Sequence, residues 1–369
     1  MSDIKPPSNK PRLLTGDTPT GKLHLGHWVG SLENRVQMQQ TYECYFILAN
    51  MHAFTTRMQH PEQIRQNVLD ITLDYLAAGI DPKLSAIFIQ SEIPAIAELT
   101  FLFSMLVPYP RLMRNPTLKD EIRDKALGDN YSFGFLLYPI GQIADILAFR
   151  PAVVPVGEDQ LPHLELAREV ARRFDQLYCG VDPHTEEANY VAAGGLFPIF
   201  QGKLGRTKRL IGLGGPGEHG QLLKMSKSLD NALFLSDDND TIYKKVMGIY
   251  TDPKRIRATD PGCIENNPLW IFHDTFNEDK AWVAEAKAQY QHGKIGDVAC
   301  KKKLVEVIVE MLAPMQARRK LYQADESAIL AILEEGTQKA NRLAEQTLAM
   351  AKEKIHQNYF SRTLTLKDK

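Results

Sequence analysis

The chain has 369 residues, 44% of them hydrophobic and 24% charged, with a formal net charge of −1. That length suits about two domains, at ~100–200 residues each, and the composition is that of a globular protein rather than a disordered or fibrous one. The charge balance argues against a protein that coats nucleic acid along its whole surface, although one domain can still carry a basic face.

No apolar run reaches the length of a membrane span and the N-terminus has no signal-peptide core, so a cytoplasmic location with no membrane partner is expected. Cys44, Cys179, Cys263 and Cys300 are scattered without a Cys-x-x-Cys pair, which gives no zinc or iron–sulfur spacing. They are expected to be buried small hydrophobes in a reducing compartment.

In chain order, Arg12–Thr15, Cys44–Ala49, Ser85–Gln90 and Val153–Val156 read as short buried strands bounded by Gly, Pro, Asn or Ser. Between them Leu25, Trp28, Leu32 and Val36, and later Ile64, Val68, Ile71 and Tyr75, recur at helical spacing. Alternation of that kind predicts an α/β fold, a Rossmann-like doubly wound parallel sheet covered on both faces. Ligands in such sheets bind beyond the carboxyl ends of the strands.

After about residue 235 the strand signal fades. Thr241–Tyr250, Lys280–Gln291, Lys301–Gln323 and Ser327–His356 read as helices between Asp-Pro, Asn-Pro and Gly breaks. The expected division is an α/β domain over 1–234 and an all-helical domain over 235–369, whose last helix can pack back on the first.

Two segments carry the chemistry. In Pro19-Thr20-Gly21-Lys22-Leu23-His24-Leu25-Gly26-His27, a strand hands over to a helix. Gly16-x4-Gly21-Lys22 begins like a P-loop, but Leu23 stands where a metal-binding hydroxyl is needed. His24 and His27 have no third ligand at a metal spacing, so zinc is disfavoured. At a helix start the two imidazoles share a face with free amide groups, a setting that favours anions. Gly26 leaves the backbone open to a purine or ribose. Imidazole N–H groups there can stabilise charge moving from an α-phosphate to departing pyrophosphate.

The second segment is Lys224-Met225-Ser226-Lys227-Ser228. A solvated basic loop is the ordinary fate of such lysines. Here Ser226 and Ser228 add hydroxyl donors, and Gly212, Gly214, Gly215, Gly217 and Gly220 upstream predict a mobile hinge for a closing loop. Together the two segments predict a clamp on a nucleotide triphosphate.

These segments resemble the two signatures of the class I aminoacyl-tRNA synthetases. Thr15–Gly21, Tyr138–Leu147 and Val154-Pro155-Val156-Gly157-Glu158-Asp159-Gln160 are similar to the tryptophanyl branch, and the likeness spans nearly the whole chain. The resemblance implies that L-tryptophan is activated with ATP, Mg2+ arriving with the nucleotide, and is then passed to tRNA(Trp). It also implies a homodimer. Thr18, Pro19, Thr20, Gly26, His27, Gly157, Glu158 and Asp159 would line the ATP site, with Lys224, Met225, Ser226, Lys227 and Ser228 on the phosphates. Gln160 would meet the polar end of the amino acid, His52 would lie beside the indole, and Lys119 is the nearest match to a further pyrophosphate-binding lysine.

Tyr138, Gln142 and Asp145 fall on one helical face at i, i+4 and i+7, with Ile140, Ile143 and Leu147 opposite. They predict a polar ridge aimed into a pocket, in which the resemblance makes Asp145 the acceptor for the indole N–H. Gln142 departs from many tryptophan enzymes and is shared with tyrosyl ones. Leu14, where the tyrosyl enzymes carry a tyrosine, favours tryptophan. Tyrosine–tRNA ligase, a non-catalytic tRNA-binding paralogue and a small nucleotidyltransferase remain the alternatives. The helical domain is expected to meet the anticodon, with Lys301, Lys302, Lys303, Arg318, Arg319 and Lys320 as its basic clusters. The apolar stretch Ile96–Leu106 is the candidate subunit interface.

Overall fold

The computed structural model describes residues 10–124, 127–128, 130–157, 160–204, 210–217, 220–252 and 255–360. Five strands, β1 (Arg12–Asp17), β2 (Glu43–Leu48), β3 (Ser85–Ile89), β4 (Val153–Val156) and β5 (Gln201–Leu204), form a parallel sheet in the order β3-β2-β1-β4-β5. From β1 the chain runs outward to β2 and β3, then returns to the other side for β4 and β5. The order therefore reverses between β1 and β4, where a crevice opens beyond the strand ends.

Alternation along each strand divides the core in two. Leu13, Phe46, Leu48 and Ile87 point into one cluster, while Leu14, Tyr45, Ile47 and Phe88 point into the other. Strands buried on both faces read as continuous apolar runs, which is why these four were visible in the sequence. β5 was not. All four of its residues are exposed and Leu204 is its one large apolar side chain, so pairing with β4 and not burial defines it.

The glycine-rich stretch differs from the expected hinge. It forms a hairpin of β6 (Ile211–Pro216) and β7 (Leu222–Lys224). A Cβ on Gly212 would lie 2.1 Å from the Asn231 amide, and one on Gly215 would lie 2.6 Å from the Tyr250 ring. These glycines are there for close packing, and they set the hairpin against its neighbours.

The helical region contains Asn239–Met247, Pro268–Phe276, Lys280–Gln291, Asp297–Gln323 and Glu326–Lys354. Asn-Pro reads as a break in the sequence, yet the helix Pro268–Phe276 begins there. Asn267 caps the helix, accepting from the Leu269 N–H at 3.1 Å, and Pro268 takes the first helical position. The last helix lies on β3. A Cβ on Gly336 would sit 2.0 Å from the Ile87 carbonyl oxygen, and Asn341 donates to the Glu92 carbonyl at 2.7 Å. Among the described residues no helix is long and apolar enough to cross a membrane.

The basic clusters are largely spent inside the chain. Lys301 is buried and donates to the carbonyls of Met247 and Ile249 at 2.9 and 2.7 Å, closing the end of Asn239–Met247. Arg318 donates to the Ala77 and Ala78 carbonyls, and Arg319 pairs with Asp74. Lys303 pairs with Glu306. Among the cysteines only Cys44 and Cys300 are buried; Cys263 is exposed and Cys179 intermediate.

Candidate active site

One cleft of about 560 Å³ lies beyond β1 and β4. It takes in most of the residues singled out in the sequence: Thr18, Thr20, His24, Gly26, His27, His52, Tyr138, Gln142, Asp145, Gly157, Gln160, Lys224 and Met225. Pro19, Ser226, Lys227 and Ser228 adjoin this wall without lining it. Glu158 and Asp159 lie outside the described residues. Lys119 is exposed on the helix Pro116–Asp124 and is not brought to the cleft.

At one end backbone groups set the chemistry. His24 caps the helix that begins at Leu25, its Nδ1 accepting the Gly26 N–H at 3.1 Å, while His27 Nδ1 accepts the His24 N–H at 3.1 Å. Both donors are amides, so each Nδ1 is an acceptor and each neutral ring carries its hydrogen on Nε2. Burial, then the neighbouring imidazole and Lys227, push the His24 pKa down to about 2. Burial takes His27 to about 4 against the pull of Asp17. Two neutral imidazoles with defined Nε2–H groups are ready donors to an anion that needs no proton transfer. A Cβ on Gly26 would lie 2.9 Å from the His24 ring, so within the chain the glycine first makes room for its neighbour.

The second segment closes on the first. Lys227 Nζ donates to the Gly21 carbonyl at 2.7 Å, and a Cβ on Gly26 would lie 3.7 Å from Met225. Leu25 N–H donates to the Leu233 carbonyl and Leu235 N–H to the Leu23 carbonyl, at 2.9 and 3.0 Å. Burial brings the Lys227 pKa down to about 8, with Asp17 and Asp74 opposing. Asn231, unnoticed in the sequence, fixes the segment from both sides: its Oδ1 accepts the Ser226 N–H at 2.8 Å and its Nδ2 donates to the Lys224 carbonyl at 3.1 Å. Ser226 and Ser228 share a hydrogen bond of 2.9 Å. Asp17 anchors the floor. Burial alone would raise its pKa, but the Arg35 guanidinium at 2.6 Å and the Tyr75 hydroxyl at 2.5 Å hold it at about 2.

At the other end side chains hold side chains. Asp145 is 4% exposed, and burial lifts its pKa to about 7 although the Gln90 amide donates to both carboxylate oxygens at 2.8 and 2.9 Å. Gln90 cannot turn around, because its Oε1 accepts the Met51 and His52 N–H groups at 3.0 and 3.3 Å. His52 Nε2 lies 3.2 Å from Gln90 Nε2, so it accepts from the amide, and burial lowers its pKa to about 4. A Cβ on Gly141 would press on that imidazole at 3.0 Å, so glycine lets the helix Phe133–Leu147 lie close.

Tyr138 donates to Glu121 at 3.1 Å and accepts from His163 Nε2 at 3.3 Å. His163 Nδ1 in turn accepts from the Asn115 amide at 3.2 Å. Gln142 donates to Gln160 at 3.3 Å. Ile140, Ile143 and Leu147 are buried on the far side, as the spacing predicted. Gln90 stands at the end of a predicted strand, where a ligand group is expected, so position could have found it. Asn115, His163 and Glu121 gave no local sign.

A nucleotide-sized cleft at the switch point of a parallel sheet, closed by the two signature segments, defines the class of protein. The chain belongs to the class I tRNA synthetases (W and Y), whose family model matches residues 6–313. It is 46% identical over 355 residues to the tryptophan–tRNA ligase of Lactococcus lactis, covering 95% of this chain and 99% of that protein. To the tryptophan–tRNA ligase of Clostridium longisporum it is 44% identical, covering 95% of this chain and 98% of that one. Its fold matches tryptophanyl-tRNA synthetase from Campylobacter jejuni, solved in complex with ADP and tryptophan. The TM-score is 0.77 at 28% identity, over 94% of this chain and 99% of that one.

Proposed function

We propose that this chain is a tryptophan–tRNA ligase that joins L-tryptophan to tRNA(Trp) in two steps. The tryptophan carboxylate attacks the ATP α-phosphate, forming the adenylate and releasing pyrophosphate. The acyl group then passes to the terminal ribose of the tRNA and AMP leaves. The observation that carries the choice of amino acid is Asp145, a buried carboxylate on the cleft wall whose Gln90 partner is fixed. An indole N–H adds a further donor to a buried carboxylate that has the Gln90 amide for its hydrogen bonds, and sites built to bond a substrate N–H reject analogues lacking it by ~10⁴–10⁵. Gln142, the residue that raised tyrosine as an alternative, is engaged with Gln160. Leu14 lines the cleft where a phenol-binding tyrosine would stand.

In this reading Thr18, Pro19, Thr20, Gly26 and Gly157 receive the nucleotide, with Glu158 and Asp159 assigned to its ribose by resemblance alone. His24 and His27 donate from Nε2 to the α-phosphate region. Lys224, Lys227, Ser226 and Ser228 take the β- and γ-phosphates. Mg2+ enters as part of the ATP substrate; among the described residues no group of three or more His, Cys, Asp or Glu could hold a metal ion. Alignment of the reactants can supply ~7–11 kcal/mol, and each donor aimed at the transition state ~3–4 kcal/mol.

We divide the chain into a catalytic region over 1–234 and an anticodon-binding region over 235–369, whose last helix is shared with the sheet. Lys302 and Lys320 are the basic-cluster side chains with no internal bond found among the described residues, and they are assigned to the RNA. A homodimer would use the outer face of the helix Pro94–Ser104, where Phe101 stands exposed while Ile96, Leu99 and Phe103 fill the core, together with the exposed Met105 at its end and Tyr109 at the start of the next helix. A role in translation supports a cytoplasmic location in this reading. Pyrophosphate–ATP exchange scored with each amino acid tests the assignment. Stimulation by tryptophan is expected; stimulation by tyrosine, or by nothing, overturns it.

A further inference from the structure

Asp74 lies where the helical region meets the histidine segment. It sits on the helix Pro61–Ala78 in a stretch that is buried from Ile71 onward, and is itself fully buried. A carboxylate is costly to bury unless it is paired, and this one is satisfied from two directions. Its Oδ2 accepts the Leu23 N–H at 2.8 Å, one residue ahead of His24. Its Oδ1 accepts from Arg319, which belongs to the helix Asp297–Gln323. Arg318, beside it, donates to the Ala77 carbonyl at 2.7 Å, so the same helix also grips the end of Pro61–Ala78.

Leu23 is also restrained on its other side. Its carbonyl accepts the Leu235 N–H at 3.0 Å on the opposite edge, and its side chain is buried. The stretch from Leu23 to Leu25 thus lies between one carboxylate and one extended segment. His24 makes its cap from within that stretch, so a displacement of Leu23 is carried to both imidazoles. Asp74 does not line the cleft and need not touch substrate.

We propose that Asp74, held by Arg319, is a positioning residue for the His24 and His27 pair, and that through it the helix Asp297–Gln323 tunes adenylate formation. The inference rests on the tryptophan-activating function above. The charge of Asp74 also reaches Lys227 and favours its protonated form, so both signature segments feel this one side chain.

The test uses the full chain carrying Asp74→Asn, Arg319→Met, both together, or Arg319→Lys. Tryptophan-dependent exchange is normalised to active sites counted by the single-turnover burst, so that only folded enzyme enters the rate. Each single variant should lose ~10–100-fold in kcat per site, with KM for tryptophan within about twofold of wild type. The double variant should be no slower than the slower single, because the two side chains act as one unit. Arg319→Lys should recover part of what Arg319→Met loses. A lowered melting temperature with unchanged kcat per site, additive losses, or no advantage of lysine over methionine would each overturn the proposal. A wild-type chain without exchange would fail differently, by removing the tryptophan-activating function itself.

Discussion

At the histidine–lysine end of the cleft, the proposed phosphate end, the side chains are fixed by backbone groups, whereas at the Asp145 end, the proposed amino-acid end, they are fixed by one another. His24, His27 and Lys227 each bond to an amide or carbonyl within or close to a signature segment. Asp145 depends on Gln90, 55 residues away, and Tyr138 on His163 and Glu121. The first arrangement positions charge and is indifferent to which amino acid is bound. The second surrounds a single buried acceptor, and a network of that kind is costly to satisfy partially. Under the proposed function, catalytic power and substrate choice belong to separate sets of residues.

That separation can be broken most forcefully at Lys227. Lys227→Ala should lower the exchange kcat by ~10²–10³ while circular dichroism and equilibrium binding of tryptophan stay unchanged. An equal loss of tryptophan binding would merge the two ends. Asp145→Asn should do the reverse, reducing kcat/KM for tryptophan by ~10–100-fold with KM for ATP unaffected, as measured by exchange at varied substrate.

The titration of Asp145 sharpens the same contrast. Its pKa is raised to about 7, so the carboxylate is charged above that pH and takes up a proton as the pH falls through it. Tryptophan binding measured by calorimetry without nucleotide should therefore weaken between pH 8 and 6, and Asp145→Asn should flatten the profile. For stability the sign is opposite. The folded chain holds this proton between the unfolded value near 3.8 and about 7, so this group stabilises the fold as pH falls across that window. A melting series of Asp145→Asn against wild type should show the difference. The smallest effect is expected at Asn231→Ala, which removes two hydrogen bonds from the lysine segment. A loss of ~3–10-fold in exchange with unchanged tryptophan binding is anticipated.

The sequence was most informative where structure is local. Four strands and the helix Lys280–Gln291 follow from runs and periods, and the two signature segments, predicted to form one site, do come together in the structure. Tyr138, Gln142 and Asp145 share a face because helix geometry requires it. What stayed hidden depends on distant chain. β5 exists by pairing, Gln90 and Asn231 matter through partners that spacing does not reveal, and Gly212 and Gly215 looked like a hinge until their neighbours were seen. The basic runs misled for the same reason. A lysine or arginine read as solvent-facing can be drawn inward by an orphaned helix carbonyl or a buried carboxylate, as Lys301 and Arg319 are.

A crystal structure of the chain with tryptophan and a non-hydrolysable ATP analogue puts both ends to the test at once. The indole N–H should rest on Asp145, with the triphosphate between the Nε2–H groups of His24 and His27 and the ammonium of Lys227. An indole turned away from Asp145, or phosphates bound outside the space those three side chains enclose, would contradict it.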